Sequence, residues 1–185
     1  MKSLPKVRSP IQDSIGDSIP NMILDAWKTN NRVTVFLIER LPAALWEARV
    51  PGAPRRTIRM IAGHMHNARC MWLKTLGKEH GIPVPPSVSR HTVKPEDLIC
   101  ALQRSGAGIL GLLQFACDRG GWLPATSAYV WRNLPLDAGH LLSYFVAHEG
   151  HHRGQIVMLT RQLDHRLPAE VTDGLWQWSK RAREA

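Results

Sequence analysis

The sequence predicts an all-α fold, a four-helix bundle with a short extra helix at its C-terminal end. Three observations predict it: four stretches carry apolar residues at helical spacing, Pro, Gly or capping residues punctuate them, and no stretch alternates convincingly as a strand would. At 185 residues the chain can bury one core without disulfides, and its composition marks no boundary between two domains.

Residues 1–19 are polar and contain Ser, Asp and Pro, so they read as a loosely ordered arm ahead of a single helical domain over 20–185. The first helix is expected to begin near Pro20, after the start signal Ser18, and to stop at Pro42. Trp27 and the apolar residues from Val33 to Leu37 supply its inward face, although Asn30, Asn31 and the β-branched residues make its middle a weak helix former. "PAALWEARVPGAPRR" reads as a turn-rich connection.

The second helix covers "TIRMIAGHMHNARCMWLKTLG", with Ile58, Ile61, Met65, Ala68 and Trp72 on one face and Gly77 as its stop. After a Pro/Gly/Ser loop, the third starts around Pro95, with Glu96 and Asp97 favourable against the helix dipole. Residues 118–135 form another loop with room for a short extended piece. The fourth helix runs from Leu136 to about Leu163, and a short helix bearing "GLWQWSKRAR" follows, anchored by Trp176 and Trp178.

Composition bounds the environment. Lys and Arg number 24 against 15 Asp and Glu, a formal charge of +9, but the excess is scattered and no nucleic-acid motif accompanies it. Nucleic acid is therefore not the expected partner. Cys70, Cys100 and Cys117 are widely spaced without a CxxC pair, which indicates neither a disulfide framework nor a cysteine zinc site. The basic N-terminus lacks the apolar run of a signal peptide, and the longest apolar-looking run, 107–117, is too short to span a bilayer. The expectation is a cytoplasmic protein with reduced thiols and no membrane partner.

The chemistry sits in "AHEGHHRGQI", residues 147–156. At about 100° per residue, with His148 at zero, His152 falls near +40°, Gln155 near −20°, Leu141 and Leu159 near +20° and Phe145 near +60°. Both histidines thus face the bundle, one turn apart, as two histidines sharing one metal ion do. His151 lies on the margin of that face, while Glu149 and Arg153 point progressively away. Two inward imidazoles are hard to bury without a shared ligand. On the second helix His64 is better aimed than His66, for which a surface position is expected. His80, His91 and His165 default to solvated or capping roles, and His140 is the best placed of the unpaired histidines to line the same cavity.

His148-Glu149-Gly150-His151-His152 also satisfies HExxH, in which Glu149 would be the general base of a metallopeptidase. The extended form fails, because Gln155 stands where it needs glycine and the glycine is Gly154. Glu170 lies beyond Pro168 and a helix break, and no edge strand is apparent to hold a peptide.

"IAGHMHNARCMWL", the later "AHEGHHRGQI", "GLWQWSKR" and "AWKTNNR" in the first helix together resemble the DinB/YfiT-like family of damage-inducible metal-binding proteins, over about residues 20–180. The resemblance implies a DinB/YfiT-like bundle of up-down-down-up connectivity, a homodimer, and a divalent metal held by His64, His148 and His152. It also implies thiol-dependent chemistry: transfer of a low-molecular-weight thiol to an electrophile, or a thiol-assisted isomerisation.

Three neutral imidazoles leave a coordination position open, where zinc lowers the pKa of bound water to about 7 and deprotonates a thiol. The expected function is a metal-dependent thiol S-transferase or related hydrolase acting on a small electrophile, with Zn or Ni, or else Fe, as cofactor and a small thiol as cosubstrate. Glu149, His151 and Gln155 are the candidate catalytic or ligand-orienting residues, and Gly154 is expected to allow a close helix approach. The alternative is a non-catalytic bundle whose metal, closed off by a fourth side chain such as His66, His140 or His151, supports the fold or a protein partner.

Overall fold

A computed structural model of the chain describes residues 10–185, with side chains described for 19–185. It is mostly helical. Four long helices, α1 (Pro10–Arg40), α2 (Ile58–Trp72), α3 (Pro95–Cys117) and α4 (Ala138–Gln162), are followed by the short α5 (Ala169–Thr172) and α6 (Trp178–Ala182). α1 packs against α3 and α4, α2 packs against the same two, and α6 lies on α1.

Local chemistry fixes the helix starts. The Thr57 hydroxyl accepts from the Met60 N–H, Pro95 opens α3 with Glu96 and Asp97 in its first turn, and Asp137 accepts from the His140 N–H. α1 departs from expectation at its start: it runs from Pro10, so Pro20 lies inside the helix. Of the arm expected over 1–19, residues 1–9 lie outside the described residues. α2 does not stop at Gly77. It widens into a π turn at Leu73–Gly77, tightens through Lys78–His80, and closes at Gly81, whose φ of 77° suits glycine.

The connection after α1 holds a small antiparallel hairpin that the sequence reading omitted, β1 (Arg49–Val50) and β2 (Ala53–Thr57), turned at Gly52 with φ 74°. β1 has only two residues and β2 reads APRRT, with no apolar alternation, which is why the pattern was silent. β2 feeds directly into α2, and the Arg59 N–H donates to the Trp46 carbonyl at 2.9 Å. The hairpin therefore sits over the N-terminal end of α2. In the 118–135 loop the extended piece is a single bridge between Trp122 and Asp137.

The core has two apolar clusters. One gathers Leu37, Ile38, Ile58, Ile61, Met65, Leu98, Leu102, Ile156 and Leu159; the other gathers Trp27, Trp72, Leu73, Leu76, Ile109, Leu112, Leu141 and Phe145. Between them in sequence, each long helix contributes polar groups: Asn30, Asn31 and Thr34 from α1, Arg69 from α2, Ser105 from α3, Glu149 and Arg153 from α4. α3 is long and apolar enough to cross a membrane by composition, but 50% of its apolar window is buried among the other helices, as in a core helix.

Candidate metal centre

α4 buries Leu141, Phe145, His152, Ile156 and Leu159 at helical spacing and so turns His148 and His152 toward α2. α2 presents His64, and the three histidines offer ligand atoms that all lie within 4.8 Å of one another. Ring centroids are 4.6 Å apart for His148 and His152, 4.7 Å for His64 and His152, and 5.3 Å for His64 and His148.

Proton positions make this arrangement specific. His152 Nδ1–H donates to Gln155 Oε1 at 2.9 Å, which leaves the lone pair of His152 Nε2 facing His148 Nε2 at 3.2 Å. Two bare lone pairs at that distance repel, so the contact requires either a proton on His148 Nε2 or a cation between the rings. Nitrogens bound at about 2.0–2.1 Å to a tetrahedral ion sit roughly 3.3 Å apart. The donors present thus fit a divalent transition metal in type and in spacing.

Electrostatics point the same way. Burial, reinforced by His152, His148, Arg90 and Arg56, lowers the His64 pKa to about 4. His148 is lowered chiefly by burial and then by His152, and His152 by burial against the opposing hydrogen bond from Gln155. All three rings are neutral at pH 7, the state that binds metal. Among the described residues no fourth His, Cys, Asp or Glu joins the group.

The remaining candidates are placed as follows. Gln155 orients the His152 ring, and its amide Nε2 donates to His151 Nε2 at 3.0 Å. His151 is exposed; besides accepting from Gln155 it packs edge-on against the His152 ring, centroids 5.0 Å apart. Glu149 does not point away from the core; it is 1% exposed. Its carboxylate accepts Arg69 Nε at 2.6 Å and Nη2 at 2.9 Å, Asn30 Nδ2 at 2.9 Å and Thr34 Oγ1 at 2.7 Å. Burial pushes the Glu149 carboxyl up, but Arg69, Arg153 and these donors outweigh it and hold it below the usual carboxylate range. A carboxylate so held is no general base for water, which removes the peptidase reading.

Arg153 is buried as well, against the expectation from its angle on the helix, because α1 covers that side of α4. His66 is not on the surface: it is 0% exposed, donating from Nε2 to the Pro86 carbonyl at 3.0 Å, with Nδ1 3.0 Å from Ser105 Oγ. Both ring nitrogens are engaged, so it is no ligand. His140 lines no cavity with the trio; it is exposed at the start of α4 and pairs with Asp137. His80 stacks on Phe115, and His91 and His165 are exposed. Gly154 permits no close approach, since nothing lies within 4 Å of where a Cβ would stand. Trp176 is 82% exposed and anchors nothing.

The residue most informative in retrospect is Arg69. It sits on the apolar stripe, four after Met65 and three before Trp72, and a charge on such a stripe demands a buried partner. Asn30 and Asn31 were the matching signal.

Two surfaces flank the histidines. A cavity of about 600 Å³ bears His64, Met60, Arg55, Arg56 and Arg90, and Arg56 also lines a second one of about 410 Å³ with His151 and Gln155. On the other side Tyr144 stacks on His148 with centroids 6.0 Å apart, and Trp72 meets both Tyr144 at 5.2 Å and the exposed Trp131 at 6.2 Å.

A family model described as the DinB family matches residues 18–181. Among curated proteins, none matches the chain.

Proposed function

This chain belongs to the DinB family, and from that premise we propose that it is a metal-dependent enzyme that transfers a low-molecular-weight thiol to a small electrophile, or hydrolyses a related substrate. The observation that carries the reading is the open trio: three neutral histidines converge without a fourth protein ligand among the described residues, which leaves room for an exchangeable ligand. A closed four-ligand site would have favoured the structural alternative.

In this reading His64, His148 and His152 hold the metal, with Zn or Ni, or else Fe, suiting three imidazoles. Bound there, the ion supplies a Lewis acid that lowers the pKa of a thiol at neutral pH. Gln155 keeps the proton on His152 Nδ1 and so keeps Nε2 aimed at the centre. Arg56 and Arg90 favour an anionic group on the thiol, and the aromatic series Tyr144, Trp72 and Trp131 favours an apolar electrophile. The same reading carries the up-down-down-up bundle, a homodimer, a cytoplasmic location and a small-molecule substrate.

The test begins with elemental analysis of protein purified without an affinity tag, beside His64→Ala. About one transition metal per chain, lost in the variant, followed by chelator-sensitive consumption of a small thiol with a model electrophile, is the expected result. No metal after reconstitution would end the reading. Metal without thiol consumption would return the site to the structural alternative.

A further inference from the structure

On the side of α4 opposite the histidines, Gly150, Gly154 and Val157 face the C-terminal segment across a cavity of about 370 Å³, walled by Met158, Leu175, Trp176 and Trp178. Arg153 lines it too.

The buried polar layer carries an unbalanced charge. Arg69 and Arg153 share the single carboxylate of Glu149, and Arg69 takes the better part of it, with two hydrogen bonds and its other nitrogen satisfied by Asn31 and the Leu102 carbonyl. Arg153 Nη1 is 3.6 Å from Glu149, beyond hydrogen-bond reach, and donates instead to Asn30 Oδ1 and Thr34 Oγ1. Among the described residues Nε and Nη2 of Arg153 have no hydrogen-bond partner, although the residue is only 8% exposed. Those two donors form one edge of a guanidinium fork, the edge that receives a carboxylate bidentately. Neither nitrogen is fully buried, so both still meet solvent, and a carboxylate on that edge replaces water with a charge-assisted, bidentate contact.

The remaining walls define the rest of the ligand. Met158 and Trp176 are large apolar side chains left exposed at the rim, Trp178 and Leu175 are half-buried behind them, and Arg161 adds a second positive charge. An exposed indole beside an apolar cavity loses water favourably when a flat or aliphatic body covers it.

We propose that this cavity is a second binding site, separate from the histidine centre, for a small amphipathic carboxylate: the acid on the Nε/Nη2 edge of Arg153, the apolar body between Met158 and Trp176. It needs no metal and stands whether or not the thiol reading does.

The test is calorimetric titration of the full chain with 4-phenylbutyrate and, as a neutral match, 4-phenylbutyramide. The acid is expected to bind at least about tenfold tighter than the amide, the ratio a charge-assisted bidentate contact supplies. Trp176→Ala, at an exposed position that leaves the fold intact, should weaken the acid by about tenfold without changing metal content. Arg153→Lys should keep part of the affinity and erase most of the preference for acid over amide. Equal binding of acid and amide, no binding of either, or an unaffected Trp176→Ala variant overturns the proposal. So does a dimer, seen by light scattering, that Trp176→Ala splits and the acid leaves untouched, since the rim would then belong to a second copy of the chain.

Discussion

Gln155 is the smallest unit on which the histidine centre depends. Its Oε1 takes the Nδ1 proton of His152 and thereby decides which nitrogen of that ring is bare. Gln155→Leu keeps the volume and removes the acceptor, so metal affinity is expected to fall by about 10–100-fold, the usual cost of losing an orienting partner. A competition titration against a chromophoric chelator measures this; an unchanged Kd would show that helix packing alone aims the ring. The α4 histidines and His66 separate binding from folding in the same way. His148→Ala or His152→Ala should abolish tight metal binding, whereas His66→Ala should retain it while losing stability, about 1–3 kcal/mol for a buried hydrogen-bonding pair broken at one end. Metal retained at full stoichiometry in the first two variants would sink the ligand assignment.

At the scale of the elements, α4 meets α2 through a buried ion pair as well as through apolar packing. Arg69 and Glu149 bind through two hydrogen bonds, both residues essentially excluded from water, and Asn30, Asn31 and Thr34 bring α1 into the same network. Gly106 makes room for it, because a Cβ there would stand 2.6 Å from Asn31 Oδ1. Glu149→Gln leaves two guanidinium groups buried with no carboxylate, and the expected cost is about 3–5 kcal/mol in urea unfolding. In a double-mutant cycle with Arg69→Met the coupling should exceed about 1 kcal/mol; additive losses would mean that the two residues act independently. This network also explains what the sequence did and did not disclose. The long helices and the His148/His152 face were legible because apolar spacing on α2 and α4 is periodic. Glu149 was misplaced because the same arithmetic assumes one buried face, whereas α4 is covered on two, by α2 and by α1. The paired asparagines of α1 registered only as poor helix formers, and their reason, a partner on another helix, is a tertiary fact that local propensity does not carry.

For the whole molecule, the histidine centre links folding to pH and, on the proposed reading, to metal. The folded pKa of His64 is about 4, below the ordinary value of 6.5, and those of His148 and His152 are lowered in the same direction. Between these values the unfolded chain binds protons that the folded chain does not, so acid favours unfolding. The contribution is fully present above about pH 6.5 and is lost progressively as pH falls from there toward 4. Metal adds to the folded side only, by about 2.7 kcal/mol when free ion is a hundredfold above Kd. For a chain of this size each kcal/mol moves Tm by roughly 2–4 °C. Zinc against a chelator should therefore separate the melting curves by about 5–11 °C at pH 7.5. Because protons compete for the same nitrogens, the separation should shrink on acidification and close near the folded pKa of His64. A gap that stays constant from pH 7.5 to that point would place the metal on groups that do not titrate there, and the three histidines would then have to be explained as a packed, proton-sharing cluster rather than as ligands.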